Sequence, residues 1–200
     1  MRIGLDFDNT IACYDSAIAR LAEDMFDLPS HLPRTKLGVR DYLRGQGRES
    51  DWTIFQGELY GPGMQYAEVY QGALETMLLL SAEGHELFII SHRSKTPYAG
   101  PSYDLHEAAR CWVKQRLQSH GLFSKDQVYF LESKNEKVRM IGMLGCELFL
   151  DDLPEVLEDA DFPLTTRGIL FAPVSPKELS STHFTTIGQW TSLPPLLTAA

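Results

Sequence analysis

Short apolar runs separated by stretches of helical spacing dominate the hydrophobic pattern of this chain. Residues 2–7 form a short, mainly apolar run that ends in carboxylates, which predicts a buried strand almost at the first residue. Residues 11–26 carry Ile11, Ile18, Leu21, Ala22 and Met25 at helical spacing, and Pro29 and Pro33 end that pattern. From residue 72 the rhythm is regular. Residues 73–82 read as an amphipathic helix closed by Gly84, 86–90 as a strand, 103–119 as a helix ended near Gly121, and 127–131 as a strand. Ser133-Lys134-Asn135-Glu136 has the form of a capping box and predicts a helix through Leu144. Residues 146–150 read as a strand, 154–160 as a short helix and 168–171 as a last strand. The Pro- and Thr-rich residues 173–200 show no assignable pattern.

Residues 34–71 break the rhythm. They are rich in glycine and in aromatics (Tyr42, Trp52, Phe55, Tyr60, Tyr66 and Tyr70) and show no strand alternation, so short helices and loops are expected. Strands alternating with helices elsewhere predict an α/β fold with a parallel sheet covered on both faces. The expected organisation is a catalytic core of residues 1–11 and 72–200 and a small helical insertion of residues 12–71. In such sheets ligands gather at the carboxyl ends of the strands. Three predicted strands end in reactive groups: Asp6 and Asp8, Ser91, and Asp151 with Asp152. The 127–131 strand is followed by Lys134.

Composition narrows the partners. The 200 residues carry a net charge of −9, so a nucleic acid partner is not expected. An anionic substrate then needs locally placed positive charge from a metal or a few basic side chains. The three cysteines, Cys13, Cys111 and Cys146, are too few and too far apart for a disulfide framework or a zinc site. No signal-peptide pattern and no membrane-length apolar run is read, so a cytoplasmic protein without membrane contact is expected.

The reactive groups suit one chemistry. Two carboxylates two residues apart, just past a strand, can divide phosphoryl transfer: one attacks phosphorus, and the other moves the proton of the leaving oxygen and of water. The adjacent Asp151 and Asp152 repel each other unless a cation lies nearby, and hard oxygen ligands suit magnesium. Ser91 can hold a phosphoryl oxygen, and Lys134 can neutralise charge there. Lys137 is the rival for that role; Lys134 is preferred because it opens the helix. Singly, each of these residues is also a common cap, turn or surface residue.

Together they resemble the haloacid dehalogenase superfamily in its four ordered motifs: Asp6-x-Asp8-x-Thr10, Ser91 after an apolar strand, Lys134 opening a helix, and Phe149-Leu150-Asp151-Asp152. The resemblance spans residues 1 to about 171. It implies a Rossmann-like three-layer sheet with a small helical cap between the first and second motifs. It implies Asp6 as nucleophile and magnesium ligand, and Asp8 as acid/base with its backbone carbonyl on the metal. Thr10, Ser91 and Lys134 are then phosphate-binding. Asp152 is the direct metal ligand, with Asp151 supporting it. An Asp at position 8 resembles the phosphatase branch.

The expected activity is therefore a magnesium-dependent hydrolysis of a small phosphorylated metabolite, a nucleotide or sugar phosphate, through an aspartyl phosphate on Asp6. A phosphotransferase of the same family and an inactive binding module are the alternatives. His92 and Arg93, directly after Ser91, are candidates for substrate contact. So are the aromatics Trp52, Phe55, Tyr60 and Tyr66 and the basic Arg40, Arg44 and Arg48 of the insertion. A monomer or homodimer fits equally well.

Overall fold

The computed structural model of the chain describes residues 1–173 and 181–198, so part of the unassigned tail lies outside the described residues. In chain order the strands are β1 (Arg2–Leu5), β2 (Ala12–Cys13), β3 (Glu68–Val69), β4 (Glu86–His92), β5 (Val128–Leu131), β6 (Leu148–Asp151), β7 (Arg167–Phe171) and β8 (Phe184–Ile187). The helices are α1 (Asp15–Met25), α2 (Lys36–Gly45), α3 (Glu49–Tyr60), α4 (Ala73–Ala82), α5 (Leu105–Arg116), α6 (Lys134–Met143), α7 (Pro154–Leu157) and α8 (Leu193–Thr198). Packing divides the chain into two compact units. The first comprises Met1–Ala12, Val69–Arg93 and Arg116–Ala200, and the second Cys13–Glu68 and Ser94–Gln115.

The first unit is built on a six-stranded sheet of order β5-β4-β1-β6-β7-β8, in which every neighbouring pair is parallel. Parallel strands buried on both faces need continuous apolar runs, and the Leu148–Asp151 strand is buried throughout. Phe88, Ile90, Phe149 and Leu170 pack with Val138 and Ile141 of α6 and with Val156 and Leu157 of α7. Leu87, Ile89, Leu148 and Ile169 alternate with them and are buried as well, so the opposite face is also covered. This is the Rossmann-like α/β sheet that the sequence predicts.

Register brings the reactive groups level. Leu5 lies beside Ile89 on one side and Leu150 on the other. Asp6 and Asp151, the next residues on β1 and β6, are therefore level at the carboxyl edge, and Ser91 lies two positions beyond Ile89 near the end of β4, with β1 in the middle. Gly4 permits this close pairing, because a Cβ there would lie 2.5 Å from Cδ2 of Phe149.

The tail adds an element that the pattern concealed. β8 extends the sheet beyond β7, and of its four residues only Ile187 is fully buried. Such a short, half-exposed edge strand leaves little alternation to read. Beyond it, Trp190 is completely buried and its indole N–H donates to the carbonyl of Thr10 at 3.0 Å. The tail thereby ties down the segment that follows β1.

The second unit is mostly helical and takes in residues beyond 12–71. Residues 94–115, placed in the core by the sequence reading, pack with it. The Trp112 indole donates to the Ala67 carbonyl at 3.0 Å, and the Tyr103 hydroxyl donates to Glu58 at 2.8 Å. Helical spacing reports which face of α5 is apolar, not which neighbour covers that face. Trp52 and Phe55 are buried and stack on each other at 5.7 Å, so they serve as this unit's core. Tyr60 packs edge to face on Tyr14, and Tyr66 lies under the Arg20 guanidinium. Arg40, Arg44 and Arg48 pair with Asp41, Glu49 and Asp51. Among the described residues no helix is long and apolar enough to cross a membrane.

The contact between Gly4 and Phe149 yields a stability prediction. Gly4→Ala should lower unfolding free energy by about 1–3 kcal/mol through overpacking between two central strands. A denaturant midpoint equal to that of the unmodified protein would contradict this packing.

Candidate active site

The site belongs entirely to the first unit and begins where β1 ends. Asp6 is 3% exposed. Its backbone N–H donates to Leu150 at 2.8 Å, so the carboxylate leaves the sheet in a fixed direction. The chain then turns tightly: Ile11 and Ala12 both donate to the Phe7 carbonyl, at 3.0 and 2.9 Å. Asn9 makes the turn with a φ of 58°, a left-handed conformation that Asn tolerates better than most residues. Asp8 and Thr10 lie within this turn, which follows Asp6 directly.

Three neighbouring elements complete the cluster. Ser91, at the end of β4, donates its hydroxyl to Asp6 Oδ1 at 2.9 Å. Lys137 of α6 lies 2.6 Å from the same oxygen and 2.7 Å from Oδ2 of Asp151, the last residue of β6. Both donors to Asp6 fall on Oδ1, which orients the carboxylate and leaves Oδ2 for other partners. The remaining oxygen of Asp151 accepts the Leu153 N–H at 3.1 Å.

The structure corrects the choice of lysine. Lys134 is at the helix start as the capping box requires, with Ser133 and Glu136 bonded reciprocally. Its ammonium, however, pairs with Asp159 at 2.6 Å and approaches the Glu155 carbonyl. Lys137 is fully buried and shares its helix stripe with Val138 and Ile141. The legible signal was that position: a lysine on the apolar face of a helix must meet a buried counter-charge.

Negative charge exceeds positive charge here. Carboxylate oxygens of Asp6, Asp151 and Asp152 all lie within 4.8 Å of one another. Burial, followed by the negative charge of Asp6, raises the Asp151 carboxyl above the usual range against the pull of Lys137. Burial, Asp6 and Asp151 raise Asp152 in the same way. Lys137 is raised too, because Asp151 and Asp6 outweigh the burial that alone would lower it. Hard oxygen donors with uncompensated charge fit a divalent cation.

The other expected residues are at the same edge. Thr10 is fully buried, and its hydroxyl makes no hydrogen bond among the described residues, which leaves that polar group available to a ligand. His92 is half-buried, and its Nδ1 is likewise without a hydrogen bond among the described residues. Burial and the nearby Lys137 lower its pKa and favour neutral imidazole. Arg93 is buried, with Nη1 at 3.7 Å from Asp8. Trp190, which supports Thr10, was not legible as a site neighbour. It lies 180 residues away in a segment without a clear pattern.

Comparison with known proteins agrees with this architecture. No family model matches the chain. A curated protein of Oceanobacillus iheyensis, provisionally named a nucleotidase, is 26% identical over 176 residues, covering 79% of this chain and 80% of that protein. A magnesium-bound structure from Bacillus subtilis, provisionally named a HAD hydrolase, has a TM-score of 0.66 at 12% identity and covers 98% of each chain. A HAD family hydrolase of Deinococcus radiodurans R1, solved with phosphate and sodium, has a TM-score of 0.56 at 16% identity, covering 98% of this chain and 94% of that one. With its parallel sheet and the order of its elements, the protein has the fold of the haloacid dehalogenase-like hydrolases.

Proposed function

We propose that the protein is a magnesium-dependent phosphatase that hydrolyses a small phosphorylated metabolite through an aspartyl phosphate on Asp6. The observation that carries this reading is the Asp6 carboxylate, held on one oxygen by Ser91 and Lys137 and flanked by Asp151 and Asp152. The nucleotidase name of the Oceanobacillus iheyensis relative favours a nucleotide within that substrate class. The magnesium and phosphate bound to the two structural neighbours support the ion and the ligand chemistry.

Asp6 Oδ2 attacks phosphorus as the bond to the leaving oxygen breaks, and Asp8 gives that oxygen a proton. Asp8 then takes a proton from water, whose oxygen bonds to phosphorus as the bond to Asp6 breaks. Phosphate departs and both carboxyls return to their starting states. Thr10, Ser91 and Lys137 hold the equatorial phosphoryl oxygens and offset their charge. Asp6 and Asp152 would hold magnesium, with the backbone carbonyl of Asp8. Asp151, both of whose oxygens are already engaged, supports them. The ion supplies charge neutralisation at the phosphoryl group.

Purified protein with magnesium should release phosphate from an aryl phosphate, and Asp6→Asn should abolish the release. Lys137→Ala should reduce kcat about a hundredfold, as loss of a preorganised donor does, whereas Lys134→Ala should stay near the unmodified rate. Activity that survives Asp6→Asn, or that is indifferent to chelation of all divalent metal, would contradict the mechanism.

The carboxyl pKa values give a second prediction. In the metal-free fold, burial and neighbouring charge push Asp151 up to about 7 and Asp152 up to about 8. A carboxyl whose pKa is higher folded than unfolded costs the fold stability as pH rises through that window. Metal-free protein should therefore lose thermal stability between slightly acidic and slightly alkaline pH. Magnesium binds the ionised groups, so its increase in Tm should be larger above pH 8 than below pH 7. Calorimetry showing an equal increase at both would contradict this site.

A further inference from the structure

Arg93 directly follows β4, two positions after Ser91. Its backbone N–H donates to the Leu131 carbonyl at 2.8 Å, continuing the ladder between β4 and β5. Its guanidinium carbon lies 5.9 Å from the ring centre of Phe7 and 6.0 Å from that of Phe130, two rings packed edge to face at 5.2 Å. The Arg93 side chain is 6% exposed, and its Nη1 is 3.7 Å from Oδ1 of Asp8. The Asp8 side chain is 20% exposed and so remains open to substrate and water. Burying a guanidinium is unfavourable unless it faces opposite charge, and aromatic faces add to its hold. Arg93 has both, on a backbone fixed by the sheet.

We propose that Arg93 is a positioning residue for Asp8. It holds the carboxyl in the orientation from which Asp8 passes its proton to the leaving oxygen and later takes one from water. The proposal rests on the phosphatase reading of Asp6 and Asp8. The pair meets through one nitrogen and one oxygen, Nη1 and Oδ1, at 3.7 Å, so the hold of Arg93 on Asp8 is through charge. The rings of Phe7 and Phe130 form an aromatic wall beside the guanidinium. Lysine, a point charge without a planar face, cannot use that aromatic wall in the same way.

The dependence on leaving group separates this role from direct substrate contact and from general support of the fold. An alkyl phosphate needs a proton on its departing oxygen, whereas a dinitrophenyl phosphate leaves as a stable anion. The ratio kcat/KM reports the half-reaction in which the leaving group departs. For Arg93→Gln, kcat/KM should fall about tenfold more on the alkyl phosphate than on the dinitrophenyl phosphate, a part of the full general-acid effect. Arg93→Lys should show the same preference to a smaller degree, and it carries the test if the Gln variant does not fold. Equal losses on both substrates, or no loss on either, would overturn the proposal. Unmodified protein inactive on both, or an active Asp6→Asn variant, would remove the phosphatase reading itself and the role of Arg93 with it.

Discussion

The ammonium of Lys137 lies between the carboxylates of Asp6 and Asp151, with no exposure to solvent, and the surrounding structure is organised by that contact. Two strands and one helix must be placed correctly for it to form. β1 delivers Asp6, β6 delivers Asp151, and α6 delivers the lysine on a face otherwise apolar. Removing one partner of a buried pair typically costs about 3–5 kcal/mol, because the other charge is left without compensation. The pair also leaves an imbalance: Asp152 adds negative charge that the lysine does not cover, while Asp8 faces Arg93. An edge of a sheet with excess buried carboxylate is poorly stable alone and well suited to a divalent cation and the phosphoryl group it accompanies.

The rest of the first unit maintains that arrangement. Gly4 lets β1 sit close against β6. Asn9 accepts the left-handed conformation in the tight turn that follows Asp6 and carries Asp8 and Thr10. Trp190, from the far end of the chain, fixes the Thr10 carbonyl. Hydrogen bonds from Ser91 and Lys137 to one oxygen of Asp6 define the orientation of the carboxylate before any substrate arrives, which is where a preorganised site gains its advantage. Through the chemistry proposed for Asp6, these supports connect ordinary sheet packing with phosphoryl transfer.

Much of this was legible in the residues. Apolar runs located the six core strands except the last, and the capping box at Ser133 located the start of α6. The convergence of Asp6, Ser91 and Asp151 followed from strand ends alone, since parallel strands share one carboxyl edge. The lysine was less legible. Closeness to a strand end favoured Lys134, but direction from a helix depends on angular position, and Lys137 shares the stripe of Val138 and Ile141. β8 and Trp190 were illegible for a different reason. An edge strand with one fully buried residue carries little period, and a contact across 180 residues has no local signature. The grouping of residues 94–115 with the helical unit is likewise a matter of tertiary packing.

The account turns on a covalent bond between phosphorus and Asp6. Protein mixed with magnesium and an aryl phosphate, quenched in acid within one turnover and digested, can be read by mass spectrometry for the attached phosphoryl group. The predicted result is one phosphoryl group on the peptide that contains Asp6, with fragmentation placing it on that residue, and its absence from Asp6→Asn. Product formation with no phosphoryl group on the protein, or with the group on another residue, would contradict the account.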